Sequence, residues 1–291
     1  MKHLAFFLIF LLLICWFSGC APTETADIAA TTLPIYEFTK RLCEGTSLTV
    51  TRLVTESVSC LHDYTLQVTQ MQAIQKADTV VINGAGLEEF LEDALHSAQN
   101  IIDASESLSL MEGAHHDHDH DHGHVHAEDP HIWLSPENAK TMAHNICHSL
   151  SHQYPQFEGI FENNLQSLLD ELDALQAYGE ETLSSLSCRE LITFHDGFSY
   201  LAESFGLTIL EAVEEESGSE ASAAQLKELC LLVDSHKLPA IFTEVNGSLS
   251  AARIIAAETG VKTYALDMAM SGNSYFEAMY RNIDTIKEAL Q

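Results

Sequence analysis

Between Phe157 and Leu186 the chain carries one apolar stripe at helical spacing. Phe157, Phe161, Leu165, Leu168, Leu172 and Leu175 recur every three or four positions, Leu183 and Leu186 extend the row, and no proline interrupts it. Roughly 30 helical residues make a rod of about 45 Å. A helix of that length with a single side to bury fits a strut between two lobes, with residues 153–187 as the link.

The segments on both sides of the rod read alike. In residues 27–152, short β-favouring runs at Asp27–Leu33, Ser47–Val54, Thr79–Asn83 and Ile101–Ile102 alternate with helical spacing at Pro34–Cys43, Leu66–Lys76 and Leu87–His96. A further helix opens at Ser135-Pro136-Glu137, where Ser is a good N-cap, Pro suits the first helical position and Glu favours the first turn. In residues 188–291, strands at Leu191–Phe194, Leu207–Ala212, Ala240–Thr243 and Val261–Leu266 alternate with helices at Phe198–Phe205, Ser222–His236, Ser250–Gly260 and Ser274–Leu290. Strand and helix in strict turn predict parallel βαβ units. The expected fold is α/β, with two βα lobes on parallel sheets joined by a long rigid helix.

One insertion breaks the first lobe. Residues 113–128 hold seven histidines, His115, His116, His118, His120, His122, His124 and His126, among three aspartates, with almost nothing to bury. Such a stretch reads as a loop able to take up several divalent ions weakly, and its attachment raises the metal concentration nearby. Imidazole ligates only when neutral, so this uptake is expected to weaken below about pH 6.

The first 19 residues read as an address. Lys2 and His3 precede an apolar run from Leu4 to Phe17, within the length of a secretory signal and short of the roughly 20 residues that span a bilayer. Ser18-Gly19-Cys20 then resembles a bacterial lipobox, with Cys20 lipidated as the mature N-terminus and residues 20–26 a tether. An extracytoplasmic, lipid-anchored chain follows from this reading. Thirteen Lys and Arg against 43 Asp and Glu give a net charge of −30, which leaves no electrostatic route to a nucleic-acid backbone. The remaining cysteines, Cys43, Cys60, Cys147, Cys188 and Cys230, are odd in number and widely spaced, so a disulfide framework is not expected.

Polar residues stand immediately beyond strands of the second lobe: His195, Glu244 and Asp267. Ligands of open parallel sheets bind at the carboxyl ends of the strands. In the first lobe, His62 and His131 lie in loops, His131 just ahead of the capped helix.

Leu61-His62-Asp63-Tyr64-Thr65-Leu66, Asp129-Pro130-His131-Ile132-Trp133-Leu134-Ser135-Pro136 and Thr193-Phe194-His195-Asp196-Gly197-Phe198, together with Glu258-Thr259-Gly260 and Leu266-Asp267, resemble signatures of one family. It comprises the zinc-receptor lipoproteins of bacterial zinc and manganese ABC importers. The resemblance covers essentially the whole mature chain, in order, including the histidine insertion. It implies metal held in a cleft between the lobes by His62, His131 and His195, with Asp267 at the family's carboxylate position, although Met268 stands where proline commonly follows. It implies a cognate ABC permease as partner and a monomeric, non-enzymatic receptor. Manganese relatives tend to have an acidic residue at the place of His195.

Donor chemistry points the same way. Three imidazoles and a carboxylate suit four-coordinate Zn²⁺, whereas Mn²⁺ favours more oxygen ligands. Glu244 reads as a carboxylate that orients a histidine. Cys60, two residues before His62, is either a buried cysteine or an additional thiolate. Two other functions stay open at this level: a surface metal buffer or adhesin, and a zinc hydrolase, for which neither His-Glu-x-x-His nor Gly-x-Ser-x-Gly is present.

Overall fold

A computed structural model describes residues 26–56, 61, 64–113, 128–213, 221–270 and 272–291. The signal run, Cys20, Cys60, His62 and the seven loop histidines lie outside the described residues.

The first lobe is a four-stranded parallel sheet in the order β2-β1-β3-β4, with β1 Ile28–Ala30, β2 Val50–Arg52, β3 Thr79–Ile82 and β4 Ile101–Asp103. Its helices are α1 Leu33–Leu42, α2 Val68–Lys76, the short α3 Glu92–Leu95 and α4 Pro136–Gln153. The second lobe repeats the topology as β6-β5-β7-β8, with β5 Glu190–Thr193, β6 Thr208–Ala212, β7 Ala240–Glu244 and β8 Lys262–Leu266, again all parallel. Its helices are α6 Ser199–Ser204, α7 Ala223–His236, α8 Ser250–Thr259 and α9 Tyr275–Leu290. Between the lobes runs α5, 26 residues from Glu158 to Leu183, entered through a 3-10 turn at Pro155–Phe157. Arg189 closes its far end by donating to the carbonyls of Leu183 (2.8 Å) and Ser184 (3.3 Å). The strand–helix order and the long helix are as the sequence predicts.

Strand alternation divides the core. Ile28 and Ala30 of β1 face a large central cluster, and Ala29 faces a smaller one on the outer side. In the second lobe, Ala240 and Phe242 face that same central cluster, and Ile241 faces outward against Leu229 and Val233 of α7. The central cluster therefore belongs to both lobes. It takes in Phe38 of α1, Met142 and Ile146 of α4, Phe161, Leu168, Leu172 and Leu175 of α5, and Met279, Ile283 and Ile286 of α9. The junction is thus a layer of four helices rather than α5 alone, which makes hinging of one sheet against the other costly in buried apolar area.

One reading from periodicity is corrected. Leu87–His96, expected as one helix, is a 3-10 turn at Glu89–Leu91 followed by the four-residue α3. The cause lies just upstream, where Gly84, Ala85 and Gly86 all have positive φ. Glu88 turns inward there to accept the backbone N–H groups of Asn83 (2.7 Å) and Gly84 (3.0 Å).

Candidate metal centre

Both sheets reverse strand order between their two central strands, which places a crevice at the carboxyl ends of β1/β3 and of β5/β7. In the first lobe this crevice is occupied by protein. Glu88, buried there, accepts from the Thr31 hydroxyl at 2.7 Å as well as from Asn83 and Gly84. Burial pushes its carboxyl up to about 7, against those three hydrogen bonds. Asn83 in turn donates its side-chain amide to the Pro130 carbonyl at 3.1 Å, fixing the turn that carries His131.

That turn is also fastened from the second lobe. The Tyr200 hydroxyl donates to the Asp129 carbonyl (3.0 Å), the Trp133 indole donates to the Met268 carbonyl (2.7 Å), and the Tyr275 hydroxyl donates to the Trp133 carbonyl (2.8 Å). His131 consequently sits on the seam, 4% exposed, with its position set by both halves. Behind it stands Asp129. One carboxylate oxygen lies 2.8 Å from the His131 Nδ1 and accepts the His131 backbone N–H at 2.9 Å. Acceptance by Asp129 requires the proton on Nδ1, which leaves a lone pair on Nε2.

His195 approaches from the other side. It follows β5 at the crevice of the second sheet and is 2% exposed. Its Nδ1 faces a Glu244 carboxylate oxygen at 3.6 Å, within ion-pair reach though longer than a hydrogen bond. Glu244, the last residue of β7, is itself buried. His195 Nε2 comes to 3.3 Å from His131 Nε2, with the rings nearly perpendicular at 86°. Two imidazoles, each with a buried carboxylate at its far nitrogen, thus converge on one point. Gly197 permits this approach. A Cβ there would lie 2.7 Å from His195 Cδ2 and 3.0 Å from His131 Cε1.

Asp267, just after β8, stands on the same rim but is otherwise engaged. One oxygen accepts the Ala269 N–H at 2.8 Å and the other lies 3.8 Å from the Arg281 guanidinium. Asn282 holds its backbone on both sides, at 2.8 and 2.7 Å. Among the described residues, no third His, Cys, Asp or Glu joins His131 and His195 in a ligating group. The orienting role of Asp129 went unread in the sequence. Its signal was local: a carboxylate two residues before a histidine with proline between. The clamps from Tyr200, Tyr275 and the Met268 carbonyl carried no local signal. Cys43 and Cys147 are buried and Cys188 and Cys230 half-buried, all as free thiols. No helix among the described residues is long and apolar enough to cross a membrane.

Comparison with known proteins gives consistent matches. The family described as zinc-uptake complex component A, periplasmic (ZnuA), matches residues 28–289. The zinc-binding lipoprotein AdcA of Streptococcus pneumoniae is 31% identical over 290 residues, covering 93% of this chain and 58% of that protein. The high-affinity zinc uptake system protein ZnuA of Bacillus subtilis is 31% identical over 283 residues, covering 92% of this chain and 88% of the relative. The chain thus spans little more than half the length of the AdcA relatives. The crystal structure of the Zn(II)-bound ZnuA-like domain of Streptococcus pneumoniae AdcA superposes with a TM-score of 0.76 at 29% identity, covering 92% of this chain and 99% of that one.

Proposed function

The chain belongs to the family of zinc-uptake complex component A, and from that membership we propose that it is an extracytoplasmic receptor that captures Zn²⁺ between its lobes and hands it to an ABC permease in the membrane. The ion is cargo, bound and released unchanged, with no covalent step on the protein. The observation that carries this reading is the pair of Nε2 atoms at 3.3 Å, aimed at one point across the seam. Without metal the two nitrogens can share one proton as a hydrogen bond, and a cation between them takes the place of that proton.

In this proposal His131 and His195 are two ligands, His62 is the third and Asp267 the fourth. Asp129 and Glu244 stand behind the two imidazoles and raise their basicity. Asp267 would exchange its contact with Arg281 for the metal. An imidazole-rich set with at most one carboxylate prefers zinc to manganese. Lipidated Cys20 would hold the chain at the membrane as a monomer, and the 113–128 histidines would collect zinc close to the cleft.

The test is a zinc titration of the mature chain, with elemental analysis before and after. One tight equivalent is expected, and His62→Ala, His131→Ala and His195→Ala together should abolish it. Deleting residues 113–127 should remove additional weak equivalents and spare the tight one. Tight one-to-one uptake persisting in the loop-deleted triple variant would overturn the assignment. For transport, a deletion strain should grow poorly only when zinc is scarce. Normal growth in zinc-limited medium would instead favour a metal buffer.

A further inference from the structure

Helix α4 buries Met142, Ala143, Ile146, Cys147 and Leu150 against the central cluster. Its opposite face carries His144, His148 and His152, all exposed. Their spacing is four and four. Residues four apart on a helix stand one above the other, with Cβ atoms about 5–6 Å apart. Two imidazoles in that relation on one helix face can take a single zinc ion. The full row spans about 12 Å at about 1.5 Å per residue, too far for one ion to touch its first and last members.

Three other described histidines are engaged: His131 by Asp129, His195 by Glu244, and His236 by Glu190 at 2.9 Å. Among the described residues, no hydrogen bond or ion pair holds the rings of His144, His148 and His152. A merely solvated face would be served better by Glu, Lys or Gln, which have higher helix propensity than His. The backbone under the row is fixed, because α4 is packed along its length between the first sheet and α5. Only side-chain rotamers need ordering.

The geometry points to a second divalent-metal site, outside the cleft, in which His148 pairs with either His144 or His152. Two imidazoles with water in the remaining positions suit borderline late first-row ions, Zn²⁺, Cu²⁺ or Ni²⁺, and not hard ions such as Mg²⁺ or Ca²⁺. Sharing of His148 limits the row to one ion at a time. With only two protein ligands the site is weaker than the cleft and exchanges quickly, as a surface that gathers metal requires.

The test is diethyl pyrocarbonate labelling of the mature chain, read residue by residue by mass spectrometry, with zinc alone as probe. One equivalent is bound first and free zinc is then raised through the micromolar range. Once free zinc exceeds the site's dissociation constant about tenfold, His148 should label about tenfold more slowly. His144 and His152 share the ion and should each slow only about twofold. Solitary, exposed His96 is the control and should not change. His148→Ala should abolish protection at both neighbours, and His195→Ala in the cleft should leave the pattern intact. Labelling of His148 that ignores zinc, protection equal to that of His96, or protection that survives His148→Ala or disappears with His195→Ala would each overturn the proposal.

Discussion

His131 Nε2 and His195 Nε2 lie 3.3 Å apart, although 64 residues separate them in the chain. Two nitrogens bound at about 2.0–2.1 Å on a tetrahedral zinc are separated by about 3.3–3.4 Å, the edge of the tetrahedron. The two side chains are thus already spaced as neighbouring ligands. If binding energies of about 10–16 kcal/mol are spread over the four proposed ligands, each is worth about 3 kcal/mol, or about a hundredfold in affinity. His131→Ala and His195→Ala should each lower zinc affinity by at least that factor in competition titrations with a chelator. A loss below threefold in either variant would remove that residue from the site.

Asp129→Ala takes away both the partner of His131 Nδ1 and the acceptor of its backbone N–H. Zinc affinity should fall about 10–100-fold, the usual effect of losing an orienting partner. Asp129→Asn keeps an acceptor oxygen without its charge, so its loss should be smaller. Equal losses in the two variants would mean that the negative charge, which both remove, is what matters at 129, and no loss in Asp129→Asn would mean that shape and an acceptor oxygen suffice.

Gly197→Ala should disturb the convergence of the rings, since the added methyl meets both imidazoles and the Met268 terminus at 2.7–3.0 Å. We expect zinc affinity to drop about tenfold, equivalent to about 1.4 kcal/mol, with much less effect on thermal stability. Trp133, the one tryptophan of the sequence outside residues 1–19, has its ring 5.3 Å from that of His131, so its fluorescence offers a direct reading of metal binding in wild type and variant.

Glu88 makes a pH prediction. Its ordinary value is 4.5, and burial raises it to about 7. Between those pH values the folded chain keeps a proton that the unfolded chain has released. The stability contributed by this group is therefore complete below pH 4.5 and is lost as pH rises to 7, by about 3 kcal/mol in all. Glu88→Gln cannot titrate. The difference in unfolding free energy between wild type and variant, measured in urea at several pH values, should change across this window in the variant's favour as pH rises. A difference independent of pH would mean that Glu88 is ionised throughout.

Tyr275→Phe removes the hydroxyl that ties α9 of the second lobe to the Trp133 carbonyl beside the candidate metal centre. The carbonyl is buried with Trp133 and loses that donor. Urea unfolding should show a loss of about 1–3 kcal/mol. No loss would mean that water replaces the hydroxyl at the seam.

What the sequence determined by itself was what repeats along it. The apolar stripe of α5, the two-residue alternation of the strands and the Ser135 cap of α4 are local patterns, and a local pattern dictates local structure because side-chain direction follows the helix or strand period. The same logic put His195, Glu244 and Asp267 at strand ends. It failed at Leu87–His96, where Glu88 found better partners in Asn83 and Gly84 than a helical turn would give it. That His131 meets His195 was implied by family resemblance and not by spacing; only the tertiary structure gave their 3.3 Å separation, put Asp129 behind one ring, and showed that both sheets share a single central core. Those relations join segments far apart in the chain. Spacing along a sequence carries no information about distance across a fold until loops close and buried polar groups must find partners.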